Sequence, residues 1–372
     1  MKNPAAAYSN SREHLLAEIG YVELLLRDEV DRFKGASPDQ REILRGVFIS
    51  DREIAEILAG LSQPERETDS PWREAAATLR AEIDERRQAS AETGVSLSLP
   101  RLANIFGLTQ FEEQLLVLCL APEIDLRYQR VYAYLQDDVT RTEPGVDLAL
   151  RLLCSTDQER VGARGCFSAS APLFRAQMFR QQDADHHPLT ARSLVLDERI
   201  VDYLVGIDRT SREFAACCRP LNVPAEHLWN LRWPDDFKKR LLEIIRSQVE
   251  VFVSNGRRLI FHFHGPEGTG KRSLAAALCA EAGIRLLVVD LAEVAGRAQN
   301  FEESLKRIAR EALLQPAAIC FTHSDRLSGD EAGLQSRWRS VANAIGEFSW
   351  LTFVSTEKSW EPGGLFGDHV FL

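Results

Sequence analysis

Apolar residues in the first part of the chain recur at helical spacing. Four of them, three or four positions apart, would share one helix face: Leu15, Ile19, Val22 and Leu26. Ser50 and Glu53 have the spacing of a capping box in front of a further apolar stretch. The segment 71–92 is typical of a charged helix that Gly94 ends. We therefore expect residues 1–97 to be an N-terminal helical region.

The next segment, residues 98–218, combines short helical patterns with turn signals. Pro100 suits the first turn of a helix, and Gly107 suits the end of that helix. Thr109 and Glu112 have the spacing of a capping box for the apolar helix that follows. Two helices joined by such a tight turn form a helix-turn-helix pattern.

Two short β-like runs follow further helical patterns, near residues 174–179 and 193–196. Asp197 has the position of a cap for one more helix. Helices followed by a small β-ribbon predict a winged-helix-like domain. DNA binding is disfavoured for it, because the candidate recognition segment 110–121 carries Glu112 instead of side chains that read base edges. A protein-docking or packing role is the better interpretation.

Residues 219–248 are predicted to be a linker and a connecting helix. Three prolines between positions 219 and 234 interrupt any regular periodicity. Asp235 then has the position of a helix cap in front of the amphipathic segment 236–253.

The last part of the chain, residues 249–372, alternates apolar strand patterns with helical patterns. Five apolar runs are predicted strands: 258–263, 284–291, 317–322, 350–356 and 369–372. Near-continuous apolar runs are typical of buried parallel strands, and their alternation with helices predicts a doubly wound α/β sheet. The whole chain is therefore predicted to be an α/β multidomain protein.

A glycine-rich stretch, GPEGTGK, lies between the first of these strands and a helix. It fits the pattern G-x-x-x-x-G-K of a phosphate-binding loop in the context that this motif requires. Its backbone N–H groups, the helix N-terminus and Lys271 would all attract an anion. Nine residues are candidate contacts to a nucleotide: Gly265, Pro266, Glu267, Gly268, Thr269, Gly270, Lys271, Arg272 and Ser273.

The usual ligands of Mg²⁺ are missing from this sequence. Arg272 stands where a Ser or Thr is needed, and Ser273 is turned by a further ~100° around the helix. Thr322 and His323 stand where the strand 317–322 should end in Asp and Glu. The loop is either a relic without a ligand or a site for ATP or ADP, at which Mg²⁺ is not expected in the usual way and Arg272 replaces its charge.

The composition of the chain limits its expected binding partners and its expected location in the cell. A formal net charge of −10 disfavours binding to nucleic acid or to an anionic membrane. No run approaches the ~18 consecutive apolar residues of a membrane span. Seven cysteines without a CxxC pair are typical of buried free thiols in a reducing compartment, which predicts a cytoplasmic protein.

Other candidate sites are weaker. The loop 183–189 has two aspartates and two histidines that could hold a metal, but residues of this kind are more often exposed turn residues. His262 and His264 are expected to be packing residues at the edge or end of the sheet. Cys217 and Cys218 have no identifiable histidine partner, so a catalytic thiol is not expected.

Residues 99–154 resemble the N-terminal winged-helix domain of a bacterial AAA+ ATPase family, and residues 188–206 resemble the end of that domain. The GKR-type phosphate loop also resembles this family. The resemblance implies a winged-helix domain, a degenerate first ATPase domain and a second AAA+ domain with intact motifs. Some members are encoded with contractile injection systems, so the implied partner is a protein client such as a component of a phage-tail-like particle.

The sequence departs from that family after the expected fifth strand. No helical lid, second phosphate loop or arginine-finger segment follows, so we expect an incomplete ATPase domain from a truncated or split protein. The predicted function is the N-terminal, partner-docking or regulatory part of an AAA-family ATP-binding protein that does not hydrolyse nucleotide. An active ATPase with an atypical Walker site and a winged-helix DNA-binding regulator stay open as alternatives, as does self-association.

Overall fold

The computed structural model describes the following residues: 6–36, 70–180, 188–207, 214, 216–221, 227–255, 258–297, 300–327, 331–357 and 370–371. The capping box predicted at Ser50 and Glu53 and the possible metal loop at residues 183–187 lie outside them. The chain forms two compact units, residues 1–208 and 209–372. The domain boundaries predicted at residues 98, 219 and 249 stay predictions.

The first unit is helical. Its helices are α1 (Ser11–Ala36), α2 (Pro71–Glu92), α3 (Ser98–Phe106), α4 (Gln110–Ile124), α5 (Arg127–Leu135), α6 (Val146–Leu153), α7 (Asp157–Ala163), α8 (Pro172–Arg175) and α9 (Glu198–Leu204). The predicted apolar face of α1 is buried, with Val22 at 1% exposure. It packs against α2 and α4, so these helices share one core.

The predicted helix ends of this unit are present in the structure. Gly107 ends α3 with a φ of 65°, a left-handed conformation that glycine adopts without strain. Thr109 and Glu112 form the predicted capping box of α4. A second capping box, Thr156 with Glu159, begins α7 and was missed, although its T-x-x-E spacing is visible in the sequence.

A minimal ribbon occupies the place of the predicted wing. The N–H of Arg180 donates to the Val195 carbonyl at 2.8 Å, and the N–H of Asp197 donates to the Met178 carbonyl at 2.9 Å. The first predicted β-like run was too long, because its start belongs to the helical turn α8 (Pro172–Arg175). Asp197 caps α9 by accepting from the Arg199 N–H.

Buried charges join α1, α2 and α4. Glu18, which is 2% exposed, accepts from His14 Nε2 at 3.1 Å and from Arg80 at 2.8 Å. Burial by itself would raise the pKa of Glu18, but the hydrogen bonds from His14 and Arg80 outweigh it and lower the pKa to about 2. Arg87 approaches Glu18 at 3.8 Å and pairs with Glu113 at 2.9 Å.

The second unit is an α/β sheet with helices. Its strands are β1 (Cys218–Leu221), β2 (Leu259–His264), β3 (Arg285–Asp290), β4 (Ala317–Thr322), β5 (Leu351–Thr356) and β6 (Val370–Phe371). Its helices are α10 (Asp235–Asn255), α11 (Lys271–Glu281), α12 (Leu291–Arg297), α13 (Phe301–Leu314) and α14 (Glu331–Phe348). The strand order is β1-β3-β4-β5-β2-β6, and the neighbours from β3 to β6 are parallel. This confirms the doubly wound sheet.

Strand β1 was not predicted, because its residues fall at the start of the predicted linker. It pairs antiparallel with β3, with Cys218 opposite Val289. Pro220 interrupts its sequence pattern but is tolerated, since β1 is an edge strand. A further difference concerns Asp235, which is the first residue of α10 instead of its cap. Its carboxylate pairs with Lys238 at 2.8 Å.

The core of this unit lies between the sheet and the helices α10 and α11. Phe261 of β2 stacks on Phe353 of β5 with ring centroids 5.3 Å apart, and both side chains are 1% exposed. This packing holds β2 against β5, and the glycine-rich loop starts at the carboxyl end of β2. Among the helices that the structure describes, none has the length and apolar character needed to cross a bilayer.

Candidate phosphate-binding site

The glycine-rich loop joins β2 to α11 as the sequence pattern predicts. Gly268 and Gly270 have φ angles of 83° and 86°, which side-chain-bearing residues rarely adopt. The Gly270 carbonyl accepts the first helical hydrogen bond from the Leu274 N–H at 2.8 Å. The N–H groups of the first helical turn therefore have no partner within the helix, which is the arrangement that attracts an anion.

Lys271 folds back over this loop. Its ammonium donates to the Pro266 carbonyl at 2.9 Å and to the Gly265 carbonyl. Thr269 also reaches the Pro266 carbonyl, with its hydroxyl 3.0 Å away. The Lys271 ammonium, which would bind phosphate in a loop of this motif, therefore binds carbonyl groups of the loop itself.

A cavity of about 360 Å³ opens beside the loop. Seven of the nine predicted site residues line it: Glu267, Gly268, Thr269, Gly270, Lys271, Arg272 and Ser273. The other two, Gly265 and Pro266, supply the carbonyls that hold Lys271. Arg272 and Ser273 are consecutive in the first turn of α11, and both line the cavity. The direction predicted for the Ser273 hydroxyl stays a prediction.

The end of β4 faces the loop across the cavity. Thr322 lines the cavity, and its hydroxyl donates to the Val289 carbonyl at 3.2 Å. His323 follows with a φ of 54°, and its Nδ1 lies 2.7 Å from Asp290 Oδ2. The sequence did not indicate this pair, because Asp290 ends a different strand.

Two further carboxylates line the cavity. Asp325 follows the end of β4 by three positions, and the short turn Ser324–Arg326 places it at the cavity. Its Oδ2 accepts from the Glu357 N–H at 2.6 Å. Glu357 itself lies just beyond β5, and nothing in the sequence pattern pointed to it.

Polar residues at the end of β5 complete the wall. Ser355 and Thr356, the last two residues of β5, both line the cavity. The Thr356 hydroxyl is 2.7 Å from His262 Nε2. Burial lowers the pKa of His262, and the neighbouring His264 lowers it further. His262 and His264 were expected at the edge or end of the sheet. They lie toward the carboxyl end of β2, but β2 is not an edge strand because it lies between β5 and β6.

An aromatic side chain borders the loop on its other side. A Cβ atom built on Gly270 would lie 3.8 Å from Trp233 Nε1. Trp233 stacks on Phe237 with ring centroids 5.6 Å apart. Trp233 is partly exposed, so its indole can report on events at the loop.

Among the described residues that line this cavity there is no cysteine. All seven thiols are free, and six of them are buried. Cys217 and Cys218 lie with their sulfur atoms 3.9 Å apart. Within the described part of the chain, no group of three or more His, Cys, Asp or Glu side chains is placed to hold a metal ion.

The candidate recognition helix of the first unit, α4, is unsuited to a DNA groove. Nearly all of it from Gln114 to Pro122 is buried, and Glu112 is 1% exposed. A helix that reads bases must present polar side chains to solvent. This burial argues against α4 as a helix that reads bases.

The sheet order, the glycine-rich loop after β2 and the polar ends of β4 and β5 together define a P-loop α/β domain. The AAA model, "ATPase family associated with various cellular activities", matches residues 261–348. The chain belongs to the family described as "Winged helix domain, variant", whose model matches residues 1–217, more than half of the chain. It thus combines an N-terminal winged-helix domain with an AAA-family domain.

Solved structures resemble this chain distantly. The structure of C. elegans PCH-2 matches with 14% identity and a TM-score of 0.31, over 38% of this chain and 44% of that chain. The structure of Rhizobiales Trip13 matches with 15% identity and a TM-score of 0.28, over 42% of this chain and 67% of that chain. This chain therefore spans less than half the length of PCH-2, and similarity at this level carries no functional information. Among curated proteins, none matches significantly.

Proposed function

We propose that this chain is the partner-docking or regulatory part of an AAA-family protein and binds ATP or ADP at residues 265–273. The observation that carries the proposal is the loop between β2 and α11, in which Gly268 and Gly270 adopt positive φ angles beside Lys271. A phosphate in the cavity would meet the N–H groups of the helix start and the Lys271 ammonium. Lys271 would exchange its two carbonyl partners for phosphate oxygens.

The residues present do not fit a magnesium ion held in the usual way. Arg272 offers no oxygen ligand, and the Thr322 hydroxyl is turned toward the Val289 carbonyl. Asp325 lines the cavity, but its carboxylate accepts from the backbone of Glu357. We therefore assign no step to a metal, and binding without hydrolysis is the role that the donor set supports.

Binding is tested by titrating the full chain with ATP and ADP, once with EDTA and once with Mg²⁺, by calorimetry. We expect micromolar affinity in EDTA, which Lys271→Ala weakens at least about tenfold because it removes a charge-assisted contact. Lys239→Ala is the matched control, since Lys239 is exposed on α10. Equal affinities for the Lys271→Ala variant and the wild type would remove the basis of the proposal.

Catalysis is tested separately by measuring phosphate release. Asp325 and Glu357 line the cavity, and this favours the active ATPase as the second candidate function. Steady Mg²⁺-dependent release of phosphate that Lys271→Ala abolishes would establish that alternative. We expect no turnover above that of the Lys271→Ala variant.

Partner docking is assigned to the first unit in a cytoplasmic setting. Four large apolar side chains of this unit are exposed within a short stretch: Ile124 at 47%, Leu126 at 70%, Tyr134 at 45% and Val139 at 89%. The family resemblance supports a protein client, such as a component of a phage-tail-like particle. The test is co-purification of such a client with the wild type and with Leu126→Asp. We expect the variant to lose the client. A variant that retains the client would exclude the exposed apolar residues between 124 and 139 as the docking surface.

A further inference from the structure

Asp290 and His323 form a pair opposite the phosphate loop, and the nucleotide binding proposed above does not use them. His323 has φ 54° and ψ 31°, a left-handed conformation that costs energy for a residue with a side chain. Its Nδ1 lies 2.7 Å from Asp290 Oδ2, between the ends of the neighbouring strands β4 and β3. Strained residues that persist in a folded protein concentrate at functional sites.

Asp290 is itself held firmly. Its Oδ1 accepts from the N–H groups of Ala292 at 3.1 Å and Glu293 at 3.2 Å, at the start of α12. Its backbone N–H donates to the Cys217 carbonyl at 2.9 Å. The carboxylate therefore fixes the orientation of the imidazole instead of following it.

The second ring nitrogen of His323 is left for a ligand. Because Nδ1 is directed at Asp290, Nε2 is at the opposite edge of the ring, and the residue lines the same cavity as Lys271. A phosphate oxygen can only accept hydrogen bonds, so contact with Nε2 requires a proton there. With Nδ1 also donating to Asp290, the contacting ring is an imidazolium.

The charges of the residues that line the cavity indicate that a third phosphate needs a further cationic contact. Lys271 and Arg272 are cationic, whereas three lining side chains are anionic: Glu267, Asp325 and Glu357. The lining without His323 thus has one negative charge more than positive ones, which opposes a third phosphate in the absence of metal. His262 does not supply the charge, since burial lowers its pKa.

We propose that His323, oriented by Asp290, contacts the terminal phosphate of a bound nucleoside triphosphate as an imidazolium, so that the site prefers ATP to ADP and does so more strongly as the pH falls. This inference rests on the proposed function. The titratable groups around His323 are Asp290 on β3, Asp325 after β4, Glu357 after β5, the loop residues Glu267, Lys271 and Arg272, His262 and His264 on β2, and the paired Glu293 and Arg297 on α12.

The test compares calorimetric affinities for ATP and ADP in EDTA, at about pH 8 and about pH 6, where imidazoles change charge. The wild type should bind ATP about tenfold more tightly than ADP at the lower pH, as expected for a charge-assisted hydrogen bond. His323→Asn, an uncharged residue that tolerates the left-handed conformation, should bind both nucleotides alike at either pH while ADP affinity stays within about twofold. This variant also controls for titration of the phosphates themselves.

Two more variants separate positioning from folding. Asp290→Asn keeps an oxygen to cap α12 but no longer holds an imidazolium, so it should reduce the pH dependence of ATP binding while ADP binding is retained. His262→Gln keeps a partner for Thr356 and should retain the wild-type pH profile. A pH dependence that persists in His323→Asn and disappears in His262→Gln would overturn the inference.

The remaining outcomes are equally distinct. An ATP preference that is the same in the wild type and His323→Asn overturns this inference and leaves nucleotide binding intact. Loss of hydrolysis in His323→Asn with unchanged ATP affinity also overturns it, because the imidazole would then act as a base. A wild type that binds neither nucleotide overturns the proposed function and this inference together.

Discussion

The Lys271 ammonium donates a hydrogen bond to the Pro266 carbonyl 2.9 Å away, so the cation of the phosphate loop is bound to the loop itself. The Pro266 end of this contact is exposed to solvent. Exposed hydrogen bonds contribute little to folding, whereas a phosphate offers Lys271 a full opposite charge. The contact is therefore one that a ligand can replace.

Replacing Lys271 should accordingly separate binding from stability. We expect Lys271→Ala to change the thermal midpoint by no more than about 2 °C, because the two hydrogen bonds that are lost are exposed or only partly buried. Thermal unfolding followed by circular dichroism, with Lys239→Ala as the surface control, measures this. A large loss of stability in Lys271→Ala alone would mean that Lys271 supports the fold of the loop.

A methyl group at Gly270 should disturb the site through the backbone. Its added Cβ would meet Trp233 Nε1 at 3.8 Å, an ordinary contact, so the cost of Gly270→Ala comes from its φ of 86°. We expect about 1 kcal/mol of lost stability and a clear loss of nucleotide affinity. Gly283→Ala is the control, since Gly283 has a φ of 71° after α11 and does not line the cavity. If both variants bind nucleotide equally, the geometry of Gly270 is unimportant for binding.

Trp233 should report on occupation of the loop. Its indole borders Gly270, so a nucleotide at the loop changes its surroundings and hence the tryptophan emission. We expect the emission to change on titration with ADP in the wild type and in Trp229→Phe, but not in Trp233→Phe. Trp229 is a suitable control because it also lies shortly before α10 and is 44% exposed. A persistent signal in Trp233→Phe would assign the change to another tryptophan.

The buried Glu18 should make the first unit sensitive to acid. Its pKa is lowered from 4.5 to about 2, so its stabilising effect is complete above about pH 5 and is lost as the pH falls through this range toward about pH 2. The shift corresponds to about 3 kcal/mol at neutral pH, as an order of magnitude. Urea titrations should therefore show a large deficit for Glu18→Gln at pH 7 that narrows toward pH 3. Glu23→Gln removes an exposed ion pair with Arg27 on the same helix. It should lower the free energy of unfolding little at either pH. A deficit for Glu18→Gln that does not depend on pH would assign the effect to packing.

Local patterns account for what the sequence could predict. Strand β4 coincides with the predicted run 317–322, and the capping box of α4 follows from two residues three positions apart. The glycine-rich loop was equally visible, because its residues are consecutive and all lie between one strand and one helix. Features of this kind depend on interactions within a few residues.

The other half of the cavity could not be predicted in this way. Asp290 and His323 are 33 residues apart, and Asp325 and Glu357 are 32 residues apart. They meet only because β4 lies between β3 and β5, and no spacing in the sequence encodes that order. Strand β1 was missed for a related reason, since four residues including a proline pair only when β3 offers them an edge.

The pairing of β1 with β3 also sets where the AAA-family half can be cut for separate expression. A fragment beginning at residue 249 would lose Cys218–Leu221 and leave the backbone of β3 without its antiparallel neighbour. Uncovered strands recruit other chains, so such a fragment would precipitate or self-associate for reasons unrelated to any ring that the intact protein forms. A fragment that begins upstream of Cys217 retains both this strand and the carbonyl that holds the Asp290 N–H.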